Sequence, residues 1–233
     1  MLDVGCGPGY YLRPLSSLYN ATGIDISEYA IELCVSEGLE CKCISFYDVE
    51  ESYNSIVCID VLEHLQADIN FLEKMYVSLS PKGKIFIVVP SGPLKKDDVF
   101  FGHYRRYERK EIIDKVLSCG FKVLYTESFG YPLLYYARLI FLALHNGKAE
   151  EYGLRNNEDR SCSSSYKHYA DDTILGKLFC NLANVSILNY VLNLILSVQH
   201  LFAFQNKGFA QIVIAEKPVE VFKGGFSYKN CDM

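Results

Sequence analysis

Leu2-Asp3-Val4-Gly5-Cys6-Gly7-Pro8-Gly9 opens the chain and decides its reading. A short apolar run ends in closely spaced glycines. After Pro8, apolar residues recur at Tyr11, Leu12, Leu15, Leu18 and Tyr19, a helical period that predicts a helix over Pro8–Asn20. Glycines between a strand and a helix let backbone N–H groups come close to a ligand, because no Cβ stands between them. Dinucleotide-binding loops space their glycines as G-x-G-x-x-G. The spacing here is G-x-G-x-G, and an acid, Asp3, stands two residues before the first glycine.

Outward from this loop, strand and helix signals alternate. Thr22–Ile26 reads as a second strand, and Ser27 can cap a helix from Glu28 to about Glu37, stopped by Gly38. Glu40–Phe46 and Ser55–Ile59 are further strands, the latter followed by a turn at Val61–Leu65. Asp68–Leu79 is a helix stopped by Pro81 and Gly83, and Lys84–Val89 a fifth strand. This alternation has the spacing of βαβ units, so a parallel sheet covered by helices is the economical fold. After Pro90 come a loop over Ser91–Tyr107, an amphipathic helix over Glu108–Ser118 ended by Gly120, and a strand over Phe121–Phe129. A last strand, Phe209–Lys217, is stopped by Pro218.

With 233 residues, the chain has room for one cofactor-sized domain and an appendage. Half the residues are apolar, 22% are charged and the net charge is -5, which excludes a disordered chain and gives no basic face for nucleic acid. The nine cysteines include no C-x-x-C pair, so reduced thiols in a cytoplasmic protein are expected and no metal is assigned. No basic segment followed by an apolar run opens the sequence, so no secretory signal is read.

The motifs, in order, resemble the class I S-adenosylmethionine-dependent methyltransferases over about Met1–Phe129 and again over Gly208–Lys217. Leu2–Gly9 is the first signature. Gly23-Ile24-Asp25-Ile26-Ser27 is the second, Phe46-Tyr47-Asp48 the third, Asp60-Val61-Leu62-Glu63-His64-Leu65 the fourth and Leu79-Ser80-Pro81-Lys82-Gly83-Lys84 the fifth. Gly102-His103-Tyr104-Arg105-Arg106-Tyr107, followed by an acidic helix and Cys119-Gly120-Phe121, resembles one bacterial-type branch. The resemblance implies bound S-adenosylmethionine, with Asp25 on the ribose hydroxyls and Asp48 near the adenine amino group. Asp3, Gly5, Cys6, Gly7, Gly9, Tyr10, Ile26, Val49 and Asp60 complete the expected cofactor site. Asp3 would hold the methionine ammonium, and Tyr10 is either a cation–π neighbour of the sulfonium or a plain helix-face aromatic. The family often has Phe-Asp where this chain has Tyr53-Asn54, which keeps a capping shape and loses a charge. Members also carry one or two helices before the first strand, whereas this sequence begins on it, so a truncated start is expected.

His64 and His103 are the candidate catalytic residues. A histidine at the carboxyl edge of an open sheet can take a proton from an acceptor, or it can simply shape the cofactor pocket. Tyr104, Arg105, Arg106 and Tyr107 are candidate acceptor-binding residues, since two guanidiniums can clamp a carboxylate or phosphate. The bland alternative is a loop pinned by arginine to helix acids such as Glu108 or Glu111.

The slightly positive mean hydropathy, +0.07, is weighted toward Gly130–Lys207. There, Tyr131–Leu144 is apolar, and Leu178–Asn206 carries no Asp, Glu, Lys or Arg. Ser186, Asn189, Asn193, Ser197 and His200 form one polar stripe along it. The segment reads as a lid helix, as a helix in a membrane interface, or as a re-entrant or spanning hairpin or dimer surface. The first two readings suggest a hydrophobic acceptor such as an isoprenoid, quinone or lipid-linked sugar.

The expected architecture is α/β and Rossmann-like, a three-layer sandwich on a seven-stranded, mostly parallel sheet with one antiparallel strand. Residues 1–129 and 208–218 form the cofactor domain, 130–207 an apolar helical insertion and 219–233 a loose tail. The expected function is methyl transfer from S-adenosylmethionine to oxygen, carbon or nitrogen of a small, hydrophobic or lipid-linked acceptor. It would take place in the cytoplasm, with membrane-surface contact through 130–207 left open. The rival is a methyltransferase-like scaffold that binds cofactor without turnover. A nicotinamide oxidoreductase is a distant third, because no Tyr-x-x-x-Lys helix is present.

Overall fold

A computed structural model of the chain describes residues 1–94, 98–99, 101–132, 136 and 208–219. Seven strands are formed: β1 (Leu2–Val4), β2 (Thr22–Asp25), β3 (Cys41–Cys43), β4 (Tyr53–Ile59), β5 (Leu79–Pro90), β6 (Lys122–Phe129) and β7 (Ala210–Glu216). They make one sheet in the order β3-β2-β1-β4-β5-β7-β6. The first five are parallel, and β7 runs antiparallel to both β5 and β6. The Rossmann-like sheet read from the sequence is therefore present, and its antiparallel strand lies one place in from the edge.

Among the described residues, α1 (Leu12–Leu18), α2 (Glu28–Ser36), α3 (Asp68–Val77) and α4 (Arg109–Ser118) accompany the sheet. A large apolar cluster, including Leu2, Ile56, Met75, Ile85, Ile112 and Val213, joins the sheet to α3 and α4. A smaller one, Cys6, Leu12, Ala21, Ile31 and Cys34, joins the opening loop to α1 and α2. Apolar side chains buried in this way each contribute about 1.5–3 kcal/mol.

Some boundaries differ from the sequence reading, each for a local reason. α1 starts four residues late because the glycine loop, including a Gly9 N–H that donates to the Cys6 carbonyl at 3.0 Å, takes up the chain first. Pro14 then falls in the first turn of α1, where its missing N–H costs nothing. α3 ends at Val77, not Leu79. Leu79 already pairs with Tyr53, and the next pair is Ser55 with Lys84, so Ser80–Gly83 loop out of register, with Lys82 at φ 62. The turn read at Val61–Leu65 contains a 3₁₀ turn, Leu62–His64. Ser27 does cap α2, its hydroxyl accepting from the Ala30 N–H at 3.3 Å.

The expectations for the insertion 130–207, including Leu178–Asn206 and its stripe, lie outside the described residues except at 130–132 and 136. Those for the tail lie outside them beyond Val219. Among the described residues no helix is long and apolar enough to cross a membrane.

Candidate active site

Five segments follow the carboxyl ends of β1 to β5: Gly5–Gly9, Asp25–Ser27, Phe46–Val49, Asp60–His64 and Ser91–Tyr107. This is the edge at which open α/β sheets bind ligands. The glycine loop is tied to β2, with Gly5 and Cys6 N–H both donating to the Ile24 carbonyl at 2.8 and 3.0 Å. Gly5 and Gly9 stand at φ +72 and +86, in the left-handed region. A Cβ would come within 2.4 Å of Val61 Cγ2 at the first and 2.5 Å of Leu39 Cδ1 at the second, so the loop has neither conformational nor spatial room for side chains.

Asp25 grips the same loop. Its Oδ2 accepts from Gly7 N–H and its Oδ1 from Ser27 N–H, both at 2.9 Å, which fixes the carboxylate and leaves each oxygen a further lone pair. Cys6 is buried beneath, and its thiol and that of Cys34 both lie on the Gly7 carbonyl, at 3.6 and 3.2 Å. Asp3 is also buried, and its Oδ2 has no hydrogen-bond partner among the described residues. Burial first, and the Asp25 carboxylate second, push its pKa up to about 7. A buried, unpartnered carboxyl is costly to leave alone and attracts a cation.

Tyr10, Tyr11, Ile26 and Tyr47 rim this edge with half or more of their surface exposed. Burial, followed by the charges of Asp60 and Asp3, raises the Tyr11 phenol above its ordinary range, so this ring stands with the site acids. Sequence reasoning singled out its neighbour Tyr10 and passed over Tyr11, because both belong to one aromatic pair with no spacing to separate them. Asp48 is exposed at the end of a 3₁₀ turn. Val49 is a core residue whose carbonyl accepts from Lys74 Nζ at 2.6 Å. Asp60 adopts φ 53, an uncommon backbone for a non-glycine residue at the tip of β4.

The segment after β5 corrects part of the acceptor-binding expectation. Arg106 is turned inward: its Nε and Nη2 each donate to Asp98 at 2.6 Å and its Nη1 to the Ser91 carbonyl at 3.0 Å. Tyr107 is fully buried, its hydroxyl donating to Asp68 at 2.8 Å. Arg105 reaches the same Asp68 at 3.0 Å and the Gln66 carbonyl at 2.8 Å. These three side chains hold the loop, because the buried Asp98 and Asp68 need their charges offset. The pinning acids are Asp98 and Asp68, not Glu108 or Glu111. Tyr104 remains exposed, with its N–H on the Glu63 carbonyl at 2.8 Å.

His64 and His103, far apart in sequence, meet here. Their rings contact edge to face, 4.6 Å between centroids. His64 is exposed, and His103 Nδ1 lies 3.7 Å from Asp98 Oδ1. Both imidazoles are held below their ordinary range by desolvation, His103 down to about 4. Glu63 joins them: one donor atom from each of the three residues falls within 4.8 Å of the others. The residue is fully buried and neither carboxyl oxygen has a partner among the described residues.

Residues 1–124 match the model of the methyltransferase domain family. The chain belongs to that family. Among curated relatives of this methyltransferase domain, an uncharacterized protein of Methanocaldococcus jannaschii is 30% identical over 159 residues, 58% of this chain and 43% of that protein. A ubiquinone biosynthesis O-methyltransferase of Rickettsia conorii is 28% identical over 96 residues, 37% of this chain and 33% of that one. The chain thus spans well under half the length of these curated relatives. A solved S-adenosylmethionine-dependent methyltransferase from Archaeoglobus fulgidus shares the fold, with a TM-score of 0.53 and 16% identity over 93% of this chain and 85% of that one. The cofactor of the family is S-adenosylmethionine, and the residues present fit it. Asp3 offers an unpartnered buried carboxyl for an ammonium, Asp25 a fixed carboxylate for hydroxyls, and the exposed Ile26 and tyrosines a surface for flat or apolar parts.

Proposed function

We propose that this chain transfers the methyl group of S-adenosylmethionine to an oxygen of a small, apolar or lipid-linked acceptor. Bound S-adenosylmethionine supplies a methyl group already activated on a sulfonium. What remains for the protein is to hold donor and acceptor in line and to exclude water. In this reading Asp3 takes the cofactor's ammonium, Asp25 its ribose hydroxyls, and the backbone of Gly5–Gly9 lies against it. Asp48, Ile26, Tyr10 and Asp60 border it.

The observation that carries the reading is Asp3: a buried carboxyl whose Oδ2 has no partner among the described residues, on the strand that leads into a glycine loop bonded to Asp25. Leu94, Val99 and Tyr104, exposed after β5, supply an apolar border for the acceptor. The uncharged stretch Leu178–Asn206 in the sequence favours an apolar acceptor too. The likeness to the Rickettsia O-methyltransferase favours oxygen as the methyl acceptor.

The test is methyl transfer from radiolabelled S-adenosylmethionine into quinol, polyprenol and lipid-linked sugar fractions. Label in an organic-soluble product supports the proposal. Tight cofactor binding with no product in any fraction would leave the domain a binding scaffold.

A further inference from the structure

The residues of the proposed cofactor site leave one chemistry-bearing cluster unused, that of Glu63, His64 and His103. We infer that these three side chains act as one proton-holding unit beside the acceptor, in which His64 takes the acceptor's proton and Glu63, which touches neither substrate, balances the charge. The inference rests on the oxygen-transfer reading and adds to it the fate of the proton.

Geometry carries the argument. Glu63 is anchored by its backbone, whose carbonyl accepts from Tyr104 N–H at 2.8 Å, which ties it to the loop that bears His103. It is fully buried with both oxygens unpartnered among the described residues, an arrangement that burial makes costly for the ionised carboxylate. A donor atom from each imidazole lies within 4.8 Å of it. His64 is the exposed member and the one able to meet an acceptor. His103 Nδ1 lies 3.7 Å from Asp98, which Arg106 holds, and has no hydrogen-bond partner among the described residues, whereas the exposed His64 ring is oriented by the Gly102 backbone.

The charges that face the unit agree with this division. Asp60 and Asp98 face Glu63 as like charges and Arg106 as an opposite one. Asp98 and Arg106 also face His103, which His64 opposes. Glu63 is pushed up to about 8, by burial first and Asp60 second, and so holds a proton at neutral pH. Both imidazoles are neutral there, which leaves His64 free to accept. In the transfer the C–O bond forms as the C–S bond breaks, and the sulfur keeps that electron pair. The hydroxyl proton passes to His64. Glu63 then gives its own proton to solvent, and the unit ends with the charge it began with.

The test uses the full chain with 13C-labelled histidine, without S-adenosylmethionine and in EDTA, so it stands whether or not methyl transfer is ever seen. The His64 and His103 ring signals, assigned with His64→Gln and His103→Gln, are followed from pH 5 to 9.5. Each should show its own protonation below the ordinary imidazole range and a second, smaller step near pH 8. Glu63→Gln should remove the second step and leave the first. No second step, or one that survives in Glu63→Gln, overturns the unit. Coupling that appears only when zinc is added and vanishes in EDTA also overturns it, and makes the three side chains a cation site.

Discussion

Asp3 and Glu63 are the two residues whose ionisation the fold alters most usefully. Burial raises both above their unfolded values, so each favours the folded chain in its protonated form. That contribution is fully present below about pH 4 and is lost as pH rises through about 7 for Asp3 and about 8 for Glu63. This contribution to the thermal unfolding midpoint should therefore decline between about pH 4 and 8, and Asp3→Asn should make the part of that decline below about pH 7 shallower; a profile that Asp3→Asn leaves unchanged contradicts the assignment. A bound ammonium favours the ionised carboxyl. Cofactor affinity should then rise about tenfold from pH 6 to 8 in the natural chain and stay flat in Asp3→Asn, as read by calorimetry. Gly5→Ala should cost about 1–3 kcal/mol in urea denaturation, because it adds backbone strain to a contact with Val61 Cγ2 that is already too short. Asp3, Asp25 and the glycines were legible in the sequence because each stands at a set distance from the end of a strand. For Arg106 and Tyr107 the sequence left an acceptor clamp and a pinned loop both open: an arginine in a loop looks the same whether it faces a ligand or a buried acid. Asp98, its partner, has no periodic neighbours to mark it as buried.

At the scale of elements, the loop after β5 is a strap fastened at two points. Asp98 with Arg106 and Ser91 makes one fastening, and Asp68 with Arg105, Lys115 and Tyr107 the other. Between them the strap presents His103 and Tyr104 to the site. Asp98→Ala should destabilise the chain by about 3–5 kcal/mol, because it leaves the Arg106 guanidinium buried without its counter-charge. Adding Arg106→Met should recover much of that loss. If the single variant unfolds at the urea concentration of the natural chain, the strap is not held this way. The strands and helices themselves were read largely from period and caps, and the order of signals was enough to give a parallel sheet. Their ends were less legible wherever backbone irregularity, not side-chain pattern, decides them. Pro81 and Gly83 look like helix stops, yet they lie in a looped-out stretch of β5 that begins two residues after α3 ends.

At the scale of the molecule, β6 and β7 are sequence-distant and spatially joined. Phe129 pairs with Ala210, and Phe209 N–H donates to the Phe129 carbonyl at 2.6 Å, so the two ends of the intervening chain meet as the ends of a hairpin. Replacing residues 131–207 by a short Asn-Gly-containing turn should leave cooperative unfolding and cofactor affinity within about threefold of the full chain. Loss of the sheet on that replacement would show that the segment belongs to the folding unit. The sequence located this segment by hydropathy alone, and hydropathy cannot distinguish a lid from a membrane face, since both bury apolar area. The central claim is that the loop Gly5–Gly9 with Asp3 and Asp25 is an S-adenosylmethionine site. It is tested most directly by calorimetric titration of the full chain and of Asp25→Ala with S-adenosylmethionine. The account predicts saturable one-to-one binding that weakens by about 1–3 kcal/mol in the variant, the cost of unpaired hydroxyls. Absence of binding, or an affinity unchanged by Asp25→Ala, would contradict it.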